Sequence, residues 1–252
     1  MTAEIAIMNK TAVALAADSA VTIEQDKGNK IFNTVNKLFA LSKYQPVGIM
    51  IYGGANFMDV PWESIIKIYR AKLSKKKFSA LKEYADNFLT FLTENTTLFP
   101  ESEQEKHFSR TIAWYFVDIK NEIDEEVKTK LSADKKIAET SVKDIVARTI
   151  KKHFDIWDKT SRLNHIDADY DKSLVEKYGE LINNARTEVF QQLPISEKSF
   201  DELRTICTNI FSKDRFSKNS SGIVIAGFGG EETFPSLVSF VIEAKINNTL
   251  KY

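Results

Sequence analysis

Apolar and polar positions alternate from the first residues of the chain. Ala3, Ile5 and Ile7 fall between Thr2, Glu4 and Ala6, the period of two that predicts a strand. Asn9-Lys10 supplies a short turn, and residues 12–17 form a small apolar return strand. Two further strands are predicted over residues 34–41 and 47–52, separated by a Ser-Lys-Tyr-Gln-Pro turn. Gly53-Gly54 ends the second of them. A strand that starts at the second residue is unusual, because most chains open with a few disordered residues. It raises the expectation that the amino terminus is buried for a purpose.

The period changes at Pro61, which suits a first helical position because its missing N–H costs nothing there. Trp62, Ile65, Ile66, Tyr69 and Leu73 mark one helical face, and Leu81, Tyr84, Phe88 and Leu92 mark a second. Helical spacing continues over residues 112–131, 142–157, 174–193 and 200–211. The pattern returns to β at 221. Ile223 to Phe228 read as a buried strand ended by glycines, Glu231 and Glu232 sit in the turn, and residues 235–244 form the partner. Asn247-Asn248 opens another turn. Strand zones at 1–55 and 221–252 around a helical region at 61–211 predict an α+β fold, a sheet packed against helices. The expected organisation is one domain over 1–252. The last hairpin would leave an open sheet edge, so the strand must pair with another chain or with sequence further on.

Composition narrows the classes. The chain has 252 residues, with Lys plus Arg at 35 and Asp plus Glu at 35. Zero formal net charge argues against nucleic acid or an anionic membrane as the main partner. The Lys75-Lys76-Lys77 run reads as a solvated helix end and Asp124-Glu125-Glu126 as an exposed face. The single Cys207 permits no internal disulfide, no apolar run reaches a membrane span, and no signal peptide opens the chain. The expected setting is cytoplasmic. Cys207 lies in an apolar stripe with Leu203, Ile206 and Ile210, which is a core position. His107, His153 and His165 stand far apart without zinc spacing, and the polar run at 164–169 reads as a loop, so no metal site is expected.

Chemistry is concentrated near the amino terminus. Removal of Met1 would make Thr2 the first residue, with its hydroxyl as a nucleophile and its own α-amine as the base. A free α-amine has a pKa of about 7.7–8.0, and a neighbouring cation lowers it. Asp18 ends the strand that folds back beside Thr2, and Lys37 lies near the start of the next β segment. Lys37 could supply the cation and be held by Asp18, while Gly53 could offer its N–H to an oxyanion. Taken alone, Thr2 could be incidental, Asp18 could cap a turn, Lys37 could be solvated and the glycines could permit a bend.

These residues, in this order, resemble a family. Thr2, Ala-Ala-Asp-Ser-Ala-Val-Thr at 16–22, Asn-Lys-Leu-Phe at 36–39 and Ile-Tyr-Gly-Gly-Ala at 51–55 are similar to proteasome β subunits and their bacterial relatives. Those are N-terminal-nucleophile (Ntn) hydrolases. Ile225-Ala226-Gly227-Phe228 and residues 234–242 resemble the hairpin that follows the helices in that fold. The likeness covers residues 2–74 and 221–252. It implies an Ntn-like αββα sandwich and a threonine peptidase without a cofactor. Thr2 would be the nucleophile. Asp18 would orient Lys37, Lys37 would lower the amine pKa, and Gly53 would donate to the oxyanion. Lys30 is a competing match for the lysine. Thr22 resembles the position that lines the substrate channel. Peptides or unfolded proteins would be substrates, inside a closed homo-oligomer that an unfoldase could serve. A non-catalytic scaffold of the same fold, or an amidase acting on a small amide, are the other readings. The helical region is longer than the family's two helices and could be an oligomer interface, a gate or a partner dock. The family's later strands, with a Ser and an Asp near the nucleophile, have no counterpart before Tyr252, so the fold is expected to be incomplete at its carboxyl end.

Overall fold

The apolar run Val47-Gly48-Ile49-Met50-Ile51 forms an inner strand of the largest sheet among the described residues. Around it, a computed structural model describes residues 4–18, 21–25, 28–32 and 36–252, the two middle spans by backbone alone. Strands β1 (Glu4–Met8) and β2 (Val13–Ala17) pair antiparallel, with Glu4 opposite Ala17. The Asn9 side-chain carbonyl closes their turn by accepting the N–H groups of Thr11 and Ala12, each at 2.8 Å. Strands β3 (Val21–Gln25) and β4 (Gly28–Phe32) form a second hairpin, which the hydrophobic pattern did not predict. β5 (Leu38–Ala40) and β6 (Val47–Gly53) follow. The predicted strand at 34–41 is shorter than expected, and its positions 34 and 35 lie outside the described residues. β7 (Asn56–Phe57) and β8 (Val60–Pro61) make a short pair before the helices begin. Pro61 is therefore not the first helical residue. It is held in β8 with an extended ψ of 133°, and α1 (Trp62–Leu73) starts one position later.

Five more helices follow: α2 (Leu81–Glu94), α3 (Glu101–Asp134), α4 (Glu139–Lys159), α5 (Tyr170–Phe190) and α6 (Glu197–Ser212). The chain closes with β9 (Ser221–Gly227), β10 (Ser236–Ile242), β11 (Ala244–Ile246) and β12 (Thr249–Lys251). The fold is mixed α+β. Its contacts form two compact units: one takes in the described residues up to 100 with 216–250 and 252, the other 101–215 and 251. Among the described residues, no helix is long and apolar enough to cross a membrane.

The first unit is built on an antiparallel sheet in the order β10-β9-β6-β5. Every residue of β9 is buried, as its Ile223-Val224-Ile225-Ala226 run demands. Register places Ile49 opposite Ile225 and Gly53 opposite Ser221. Helices α1 and α2 bring the two apolar faces read from the sequence into one core with Ile49, Ile51, Ile223 and Ile225. Tyr69 and Phe88 meet edge to face at 5.0 Å, and Phe57 meets Phe99 at 4.9 Å. Each such buried side chain contributes about 1.5–3 kcal/mol. Glu232 carries out a task that its place in a turn did not suggest. Its carboxylate accepts the Leu81 N–H at 3.0 Å and the Gly229 N–H at 2.6 Å, satisfying a donor at the start of α2. Asn247 and Asn248 both have positive φ, 46° and 59°, between β11 and β12, the conformation that asparagine tolerates and a two-residue hairpin needs.

Lys245 on β11 is fully buried, and its Nζ donates to the Asn95 carbonyl at 3.4 Å. Among the described residues no carboxylate pairs with it. Burial pushes its ammonium below the ordinary lysine value. The open chain then binds this proton more tightly than the fold does, so the fold gains stability as pH rises from the lowered value toward the ordinary one. Lys245→Met keeps the stem and removes the desolvated charge. It is expected to raise the melting temperature at neutral pH by about 3–8 °C. Scanning calorimetry checks this, and a lower melting temperature would show that the bond to Asn95 outweighs desolvation.

The second unit is helical. α3 packs on α4 and α5, and α6 packs on the same two. Phe108 stacks on Tyr178 at 4.6 Å and on Phe211 at 5.2 Å, and Phe116 meets Phe190 at 5.4 Å. Cys207 is buried in this core, and burial pushes its thiol up, away from thiolate chemistry. Glu122 on α3 takes hydrogen bonds from Lys152 at 2.5 Å and with His153 at 3.1 Å, both on α4. The Lys152 bond is the main reason its carboxyl sits below the usual range. The polar loop at 164–169 closes on Arg162, which pairs with Asp171 and donates to the Asp167 carbonyl at 3.1 Å.

Candidate active site

Lys37 stands immediately before β5, and its carbonyl accepts the Ile51 N–H of β6 at 2.8 Å. This fixes its backbone to the central strand. Its side chain is buried, with the residue 6% exposed, and its Nζ donates to Asp18 Oδ1 at 2.6 Å. Asp18 directly follows β2 and is about one-third exposed. The ion pair offsets part of the cost of taking this ammonium group out of water.

Glu4 joins this pair. Its place opposite Ala17 sets it beside Asp18. Burial first, and Asp18 second, push its carboxyl above the ordinary glutamate value, while Lys37 pulls it back. Its Oε1 is buried and has no hydrogen bond among the described residues. The fold holds this proton more tightly than the open chain does. Glu4 therefore favours folding at acidic pH, and that contribution is lost as pH rises through its raised value. Sequence reasoning passed over Glu4, since a glutamate alternating with apolar residues reads as the solvent side of a strand.

Gly53 ends β6 with φ +75°, where a Cβ would fall 2.6 Å from the Ser220 carbonyl oxygen. Only glycine fits this turn without strain. The Gly54 N–H donates to the same carbonyl at 3.1 Å. Ser221 Oγ then donates to the Gly54 carbonyl at 2.9 Å and accepts the Trp62 indole N–H at 2.8 Å. Trp62 opens α1, and its backbone N–H reaches the Ala55 carbonyl at 3.1 Å. Both side chains are buried, Ser221 at 1% and Trp62 at 2% exposure. Lys37, Gly53, Gly54, Asn56, Trp62 and Glu63 line one cavity of about 260 Å³. An ammonium group and a glycine turn thus share a concave wall, an arrangement suited to developing negative charge.

Asp18 and Lys37, named from the sequence, are in direct contact, and Gly53 shares the cavity wall with Lys37. Thr2 lies outside the described residues. Thr22 lies on β3 opposite Ile31, and Lys30 on β4 opposite Ile23; their side chains lie outside the described residues as well. Ser221 and Trp62 were missed as site residues. They are 159 positions apart, and no local pattern links a strand's first serine to a helix's first tryptophan. Among the described residues no group of three His, Cys, Asp or Glu side chains could hold a metal.

Comparisons with protein-family models, with curated proteins and with solved structures each found no match.

Proposed function

We propose that this chain is a threonine-type amide hydrolase of the Ntn kind, cutting peptide bonds through Thr2 once Met1 is removed. The observation that carries the reading is the buried Lys37 ammonium, held by Asp18 at 2.6 Å, on the wall that also carries the Gly53 turn. β1 begins at Glu4, two positions after Thr2 in the sequence. Glu4 lies beside this pair, and two residues of chain reach at most about 7 Å.

The steps balance on these groups. The Thr2 hydroxyl attacks the substrate carbonyl carbon, and its proton passes to the α-amine. Lys37 keeps that amine neutral at working pH by disfavouring the ammonium form. The Gly53 N–H and the Lys37 charge stabilise the tetrahedral oxyanion. The α-ammonium returns the proton to the departing amine, leaving an ester on Thr2. Water, deprotonated by the same amine, then attacks the ester carbon, and the α-ammonium returns that proton to the Thr2 oxygen as the acid leaves. A closed homo-oligomer would restrict access to unfolded chains.

Short fluorogenic peptides and an unfolded protein test this directly. The wild type is expected to cleave them, and Thr2→Ala to lose at least about a thousandfold in kcat/KM. Equal turnover by Thr2→Ala would sink the proposal. Retained Met1 on a folded, inactive protein would favour the scaffold reading instead, and cleavage of small amides alone would favour the amidase.

A further inference from the structure

The Gly53-Gly54 turn is held from outside by two buried groups whose partners are fully accounted for. The Gly54 N–H is tied to the Ser220 carbonyl at 3.1 Å, which orients the peptide plane between Gly53 and Gly54. The Gly54 carbonyl is tied to Ser221 Oγ at 2.9 Å, which orients the next plane. Ser221 cannot swing away, because its hydroxyl oxygen also receives the Trp62 indole N–H at 2.8 Å. The result is a directed chain from indole N–H to hydroxyl to carbonyl, buried at the Trp62–Ser221 link and half-buried at the Ser221–Gly54 link. Hydrogen bonds in such a chain polarise one another. Gly53 itself has no steric preference for its φ of +75°, since glycine populates many conformations. Something else must choose one.

We propose that Ser221 and Trp62 are positioning residues, which lock the Gly53-Gly54 turn in one orientation on the wall of the cavity beside Lys37, with the Gly54 N–H spent on the Ser220 carbonyl and the Gly53 N–H left as the donor for an oxyanion. The role rests on the hydrolase reading for its catalytic consequence, and on the hydrogen bonds alone for the lock. Neither residue touches the reacting atoms. Trp62 lines the cavity with one face, stacks on Phe57 at 5.3 Å with the other, and hands its N–H to Ser221. It therefore couples the first turn of α1 to the end of β6. An N–H displaced by about 1 Å loses much of its grip on an oxyanion, a loss of about a hundredfold at the extreme.

Two variants separate the lock from general stability. Ser221→Ala removes the central hydroxyl, and Trp62→Phe removes only the donor while keeping an aromatic ring. In the wild type and both variants, turnover is measured per active site, counted with a Thr2-directed covalent inhibitor. Exchange of the Gly54 amide proton is followed by NMR on the same proteins. Both variants are expected to lose about tenfold or more in kcat per site with KM changed less than twofold. Gly54 exchange is expected to speed up by about tenfold in each. The double variant should lose little more than either single one, because both act through one chain of bonds. Unchanged Gly54 exchange in Ser221→Ala would overturn the proposal whatever the activity. Faster exchange with unchanged kcat would overturn the catalytic role. Faster exchange in both variants, together with a wild type that shows no Thr2-dependent turnover, would refute the hydrolase reading and keep the lock.

Discussion

Lys37→Met is expected to cut peptide hydrolysis by about a hundred- to a thousandfold while leaving the fold nearly as stable as before. The two halves of this result have separate causes. The activity loss follows from the charge. In the proposed mechanism the Thr2 amine then loses the cation that lowers its pKa, and the oxyanion loses the positive charge of Lys37. Stability is another matter. Removing one member of a buried ion pair is costly when it strands the other charge away from water, and Asp18 is not so stranded. Asp18 is about one-third exposed and can return its carboxylate to water. Glu4 would respond as well, since the Lys37 charge holds its carboxyl down. Its proton should be held to still higher pH in the variant. Steady-state kinetics and a thermal melt on the same sample check both halves. A melting temperature unchanged within about 3 °C with full activity would remove Lys37 from the mechanism.

Phe88→Ala is expected to destabilise the first unit by about 3–5 kcal/mol. Phe88 is fully buried on α2. It meets Tyr69 edge to face at 5.0 Å, Phe91 at 6.4 Å and Trp62 at 6.4 Å. Truncation forfeits the transfer energy of the ring and leaves a cavity that α1, α2 and the sheet can only partly fill. Trp62 would lose its contact with the Phe88 ring, so the site should loosen along with the core. Urea unfolding measures the loss. A change under about 1 kcal/mol would mean that the core collapses around the gap far better than its packing suggests.

Local pattern carried much of this fold. The stripes from Trp62 to Leu73 and from Leu81 to Leu92 are the faces that α1 and α2 bury. The β1–β2 hairpin and the Asn247-Asn248 turn also stand where period and turn residues put them. The departures have physical reasons. α3 begins at Glu101, well before the stripe seen from Ile112, because its first turns are mostly polar. There the buried face is continued by Gln104 and Phe108, and a glutamine does not register as apolar. The β3–β4 hairpin was missed because residues 24–30, Glu-Gln-Asp-Lys-Gly-Asn-Lys, contain no apolar position at all. At the site, the pairing of Asp18 with Lys37 could be argued from order along the chain. The Ser221–Trp62 bond could not, since it exists only when β9 is laid beside β6 and α1 is docked on them. Glu4 was hidden for a similar reason: strand alternation assigns it to water, and the return strand puts it beside two charges.

The claim at the centre is that the amine and the hydroxyl of Thr2 react as a unit beside Lys37. A peptide epoxyketone tests it, because it closes a ring only on a hydroxyl and an amine of the same residue. The measurement is the mass of the amino-terminal peptide after treatment of the wild type, Thr2→Ala and Lys37→Met. The expected result is a peptide that begins at Thr2 and carries one inhibitor in the wild type, no adduct in Thr2→Ala, and strongly slowed labelling in Lys37→Met. An amino-terminal peptide that keeps Met1, or an adduct that persists in Thr2→Ala, would contradict it.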